Sequence, residues 1–171
     1  TFTPTLAELM AYDSLFVWGS GSWDGNAFGD VLASYIEAGR GVVIAVFAQR
    51  AGSVVGVEGR FGTAGYRAYV PASHNFMALS MVTPPTMPAH PIMAGVASFS
   101  GPNVGYHDGA YNPAASLIAT YTNGRPLVAA FRPTAGRSVL LGFYPTSSFW
   151  DSSTDGARLM VNALNWAACG P

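Results

Sequence analysis

Apolar and polar positions fall into two well-patterned blocks separated by a looser middle. Ser14-Leu15-Phe16-Val17-Trp18 is a short apolar run, and Gly41-Val42-Val43-Ile44-Ala45-Val46-Phe47 is a longer unbroken one. Unbroken runs of this length are the pattern of strands covered on both faces. Between them Phe28, Val31, Leu32, Tyr35 and Ile36 recur at i, i+3, i+4, i+7 and i+8, which predicts a helix from about Ala27 to Ala38. Asp24 or Asn26 is placed to cap its start, and Gly39 to supply the left-handed residue after its end. Strand, helix and strand joined by short turns form a βαβ unit with a right-handed crossover. Ahead of it, Leu6, Leu9 and Met10 behind Pro4 predict a helix over Pro4 to Ala11.

The last third is equally regular. Ser116 to Tyr121 and Pro126 to Phe131 are apolar runs around Asn123-Gly124, the signature of a β-hairpin, and Ser138 to Phe143 adds a third antiparallel neighbour. Gly156 to Ala168 has helical period, with Leu159, Met160, Ala163, Leu164 and Trp166 on one face. The middle predicts less. Gly52 to Gly65 is glycine-rich, Tyr66 to Val70 and Ala78 to Val82 are short strand-like pieces, and Thr83 to Pro91 holds four prolines. Ile92 to Val96 suits one helical turn, and Ser98 to Pro113 reads as a loop. There is no internal repeat and no shift in composition, so one domain is expected over residues 1–171.

Charge changes this picture. Half of the 171 residues are hydrophobic, only 10% are charged and the net charge is -1; an average soluble domain is roughly 25% charged. So little charge implies that part of the surface is covered by another domain or a second copy. All eight basic residues are Arg, scattered along the chain with no stripe for phosphates, which argues against a nucleic-acid partner. No apolar run approaches the roughly 20 residues of a membrane span. The lone Cys169 has no internal disulfide partner. The chain begins at Thr1 rather than Met, as a processed or excised segment would.

Candidate chemistry is sparse. The turn after the second strand, where an α/β enzyme places a nucleophile, offers Ala48, Gln49 and Arg50. The loop after the first strand presents Ser20 and Ser22 between glycines, then Trp23 and Asp24, at the strand end where open α/β sheets bind ligands. His74 and His107 lie in segments able to converge over that end. Asp108 can orient His107 as a general base, or the pair can bond backbone in a turn. Tyr106 and Trp150, with other loop aromatics, offer a carbohydrate platform, an interface or core packing. The histidines and carboxylates are too dispersed for a metal site, and no cofactor motif is present.

Several segments together resemble the ThuA-like branch of the class I glutamine amidotransferase-like superfamily. They are Tyr12-Asp13 before an apolar strand and Tyr35-Ile36-Glu37-Ala38-Gly39-Arg40-Gly41 before another, then His90-Pro91-Ile92-Met93-Ala94-Gly95-Val96. Arg125-Pro126-Leu127-Val128, Gly136-Arg137-Ser138-Val139-Leu140 and Asn162-Ala163-Leu164-Asn165-Trp166-Ala167 complete the set. The resemblance implies an α/β, flavodoxin-like three-layer sandwich with parallel central strands and an antiparallel C-terminal extension. Amidotransferases carry Cys after the second strand and many ThuA-like proteins carry His; this chain has neither, which removes glutaminase chemistry. Relatives also open with an additional strand, expected inside the sheet, so its absence predicts unpaired backbone beside Ser14 to Trp18. A non-catalytic interaction or assembly module of a secreted or surface protein follows, completed by self-association or a strand donated by another subunit. The alternative is a protein that binds or acts on carbohydrate through Ser20, Ser22, Trp23, Asp24, Gln49, His74, Tyr106, His107, Asp108 and Trp150.

Overall fold

The computed structural model describes residues 3–50, 52–133, 135–146 and 148–168; Cys169 lies outside them. Helix α1 (Leu6–Leu9) is shorter than its period suggests, and is closed by a capping box in which Thr5 and Glu8 satisfy each other's backbone N–H. Strand β1 (Ser14–Val17), helix α2 (Gly25–Glu37) and strand β2 (Gly41–Ala45) form the expected βαβ unit. Asp24 caps α2 by accepting from Ala27 N–H at 3.0 Å, and Gly39 takes φ +85° after its end.

The five-stranded sheet has the order β1-β2-β7-β6-β5. Here β5 is Ser116–Thr120, β6 Pro126–Phe131 and β7 Arg137–Leu141. β1, β2 and β7 are parallel, whereas β5, β6 and β7 are antiparallel neighbours. The hairpin turns through Gly124 at φ +79°. This is the expected α/β fold with an antiparallel extension. Helix α3 (Gly156–Ala168) covers one face, over Val43, Ala45, Val139 and Leu141. Helix α2 covers the other, over Val17, Val42 and Ile44.

Two expectations are corrected. No strand is missing from inside the sheet: β1 pairs directly with β2 from Ser14↔Gly41 to Val17↔Ile44, which makes β1 an edge strand. The glycine-, histidine- and asparagine-rich stretch expected as a loop is strand β4 (Ser100–Tyr111). It pairs with β3 (Tyr69–Ser80), into which two short strand-like pieces merge. Weak β propensity is overridden there by cross-strand pairing. This antiparallel ribbon wraps over the carboxyl end of the parallel strands. Tyr69 packs with Ala129 and Leu140 on one side of the sheet, and Leu79 and Val104 join the core under α3 on the other.

Candidate functional site

Where the ribbon crosses the end of β2, His74 and His107 stand directly opposite each other, with ring centroids 5.2 Å apart. Phe47, just past β2, lies edge-on to His74 at 4.8 Å, and Phe76 lies 4.4 Å from His74. Gly105, opposite Phe76, leaves the space these side chains fill: a Cβ there would stand 3.1 Å from the Phe76 ring and 3.2 Å from His74 Nε2. A cavity of about 330 Å³ beside them is lined by Arg50, Pro71, Ala72, Ser73, His74 and His107. The structure therefore joins His74 and His107, 33 positions apart in sequence, at the predicted end of the sheet.

The chemistry of that pair is restrained. His107 is only 3% exposed, and its Nδ1 lies 3.1 Å from the carbonyl of Ser73. A carbonyl only accepts, so Nδ1 carries the proton and Nε2 holds a lone pair. Burial, reinforced by His74, holds the His107 pKa down at about 4. His74 is also pushed down, first by burial and then by the Arg50 charge. Both rings are neutral near pH 7, and both Nε2 atoms are buried without a hydrogen-bond partner among the described residues.

Asp108 does not orient His107. Successive strand residues point to opposite faces, and Asp108 reaches Asn75 Nδ2 at 2.9 Å, Ser73 Oγ at 3.3 Å and Arg125 Nε at 2.5 Å instead. Gln49, in the nucleophile turn, is 1% exposed and donates from Nε2 to the carbonyls of Ile44 (2.9 Å) and Leu141 (3.0 Å). It ties the ends of β2 and β7 together. Arg67 is buried beneath the same turn. Its guanidinium donates to the carbonyls of Phe61, Gln49 and Val57, and burial lowers its pKa to about 10. A single Arg between Tyr66 and Ala68 carries no sequence signal of such a role.

The other candidates disperse. Ser20 and Ser22 are exposed in the β1–α2 loop. Trp23 is half-buried, its indole N–H donating to the Gly56 carbonyl at 2.8 Å, and Asp24 is the helix cap. Tyr106 packs against the core under α3. Trp150 lies within that core, stacked on Phe99 and edge-on to Phe143, so its faces are covered and it offers no sugar platform. Among the described residues no group of three or more His, Cys, Asp or Glu is arranged to hold a metal, and no helix is long and apolar enough to cross a membrane.

No family model and no curated protein matches the sequence. Solved structures do. A cytoplasmic protein from Salmonella typhimurium superposes with TM-score 0.76 at 16% identity, over 98% of this chain and 76% of that one. A second, from Salmonella typhimurium LT2, gives 0.75 at 16% over 97% and 76%. A ThuA-like protein from Bacteroides uniformis gives 0.69 at 16% over 95% and 72%. The fold is thus ThuA-like and flavodoxin-like. The expectation of an extracellular or cell-surface location is overturned, since the two Salmonella neighbours are described as cytoplasmic proteins.

Proposed function

We propose that this chain is a non-catalytic interaction domain on a ThuA-like fold, which assembles with a second copy of itself through the open edge of β1. The contrast between the two sheet edges carries this reading. The β5 edge is covered by the connector that leaves β3, with Val82 N–H donating to Thr120 O at 2.9 Å, Met87 N–H to Ile118 O at 3.0 Å, and Met81 bridging Tyr121. Beside Ser14–Val17 no such cover exists among the described residues. The edge also lacks the Lys or Pro that ordinarily blunts one, and Ser14 to Ser22 carry no charge at all, so two copies approach without repulsion. Tyr12 (60% exposed) and Trp18 (44%) flank it, beside a groove of about 240 Å³ formed by Phe16, Val17, Trp18, Trp23 and Phe28. The non-catalytic half rests on the turn after β2, where Gln49 is committed to backbone carbonyls.

Light scattering across the micromolar range tests this. The expected result is concentration-dependent association, abolished by Trp18→Lys with the thermal midpoint unchanged. A parent chain that stays monomeric overturns it.

A second reading, binding of a small polar ligand such as a carbohydrate, is favoured by the cavity beside Arg50, Ser73, His74 and His107. Imidazole resonances of His74 and His107 left unmoved by mono- and disaccharides remove it.

A further inference from the structure

Two imidazole nitrogens on the β3–β4 ribbon have nothing to bind. The contact of His107 Nδ1 with the Ser73 carbonyl, at 3.1 Å, fixes the tautomer and leaves the Nε2 lone pair to a side chain only 3% exposed. His74 stands opposite it in the ribbon, and its Nε2 is likewise buried without a hydrogen-bond partner among the described residues. A Cβ at Gly105 would stand 3.2 Å from His74 Nε2, and Gly105 lies two positions before His107, on the same face of β4. His74 Nε2 is therefore turned toward the strand that carries His107.

Both atoms are sealed from water, so whatever satisfies them is smaller than a water molecule. A bare metal ion meets that condition. With metal–nitrogen bonds of about 2.0–2.1 Å and a tetrahedral angle at the metal, two imidazoles bound through Nε2 hold their centroids roughly 5 Å apart. Here the separation is 5.2 Å. The bond from Nδ1–H to a backbone carbonyl is also the outer contact that metal-bound imidazoles ordinarily make, since it sets the ring's tautomer and orientation. The cavity of about 330 Å³ leads from the pair past Ser73 to Arg50, giving a path of entry and room for further ligands. Exposed Arg50 opposes a cation by charge, so binding must come from lone-pair donation. Imidazole donates well to zinc, cobalt, nickel and copper, whereas magnesium and calcium require oxygen. The same guanidinium favours a small anion in the remaining coordination positions.

We propose that His74 and His107 bind a divalent transition ion of the zinc class through their Nε2 atoms, with the other coordination positions open to the cavity. The two ligands are 33 positions apart and meet only through the ribbon's register, so no ligand spacing in the sequence announces them. The site needs no second copy of the chain and no bound sugar.

The test is NMR titration of the three imidazoles of the parent chain with zinc chloride at pH 7, with magnesium chloride as the control. Zinc should move the Nε2 resonances of His74 and His107 together and leave His90 in place, and magnesium should move none of them. Zinc affinity, measured by calorimetry, should fall at least about tenfold in His74→Gln and in His107→Asn, the loss expected when one of two ligands is removed. Cys169→Ser and His90→Gln should bind zinc like the parent. Zinc should also raise the thermal midpoint of the parent but not of the two ligand variants. Imidazoles of His74 and His107 unmoved by zinc overturn the proposal without reliance on any variant. Either ligand variant binding zinc like the parent, or binding lost in Cys169→Ser, overturns it as well.

Discussion

His107 and Asp108 are chain neighbours on opposite sides of the β3–β4 ribbon, and the two sides use polar groups in different ways. Toward the sheet, His107 fixes the Ser73 carbonyl, and Tyr69 donates its hydroxyl to the His107 carbonyl at 3.2 Å. Just before β3, Arg67 gathers three further carbonyls in the buried turn region. Away from it, Asp108 joins Ser73, Asn75 and Arg125 in a network open to water. Buried polar groups at the sheet end hold backbone in place; exposed ones pair with each other at little net gain. At this end of the sheet, Gln49, Arg67 and His107 each fasten backbone carbonyls.

The largest consequence is expected at Arg67. Replacing it with Met leaves the carbonyls of Phe61, Gln49 and Val57 without their donors, at a cost on the order of 3–5 kcal/mol, since each buried orphan costs about 1–3 kcal/mol. Arg67→Lys should recover little, because an ammonium does not reproduce the guanidinium fork. Urea denaturation measures both. A loss below about 1 kcal/mol for the Met variant would place Arg67 with the exposed side of the comparison.

The next effect is pH dependence from His107. Its folded pKa of about 4 lies below the ordinary 6.5, so the unfolded chain binds the proton more readily. The stability it contributes is complete above pH 6.5, falls as pH drops toward 4, and loses nothing more below that. The loss is on the order of 3 kcal/mol. Carboxylates held low elsewhere, such as Asp155, also lose stability in acid, so the parent must be compared with His107→Asn, whose amide can still donate to the Ser73 carbonyl. The acid-induced loss should be smaller in the variant by that amount. Equal acid sensitivity in the two would mean that His107 is not held neutral by burial.

These two residues mark where the sequence is legible. The apolar runs at Val42 to Ala45 and Leu127 to Phe131, and the helical period from Phe28 to Ile36, specify the sheet and its cover because each element buries a face of its own. The ribbon is different. Gly105, His107, Asp108 and Gly109 have poor strand propensity, and what makes them a strand is a partner 29 or more residues away. Once a loop is assumed there, His107 and Asp108 read as a dyad; once it is a strand, alternation separates them. The meeting of His74 with His107 is a matter of register, which no local pattern encodes. The end of the sheet that would carry a nucleophile was readable from β2, but the role of Gln49 was not, because its acceptors belong to two strands far apart in sequence.

The smallest expected effect sharpens the comparison most. Asp108→Asn removes the charge facing Arg125 but keeps an oxygen able to accept from Asn75 and Ser73. The side chains of Arg125 and Asp108 are 44% and 32% exposed, so water and salt already screen the pair. The loss should be about 0.5 kcal/mol at low ionic strength and smaller still in molar salt. The acid dependence attributed to His107 should be unchanged, because Asp108 faces away from that ring. A chain neighbour acting as the orienting acid of a dyad would behave otherwise: its neutralisation would drop the His107 pKa further and shift the pH profile. Thermal denaturation of the Asp108→Asn variant at pH 7 and pH 5, in low and high salt, distinguishes the two arrangements. A loss above about 2 kcal/mol, or a displaced pH profile, would show that the two sides of the ribbon are coupled.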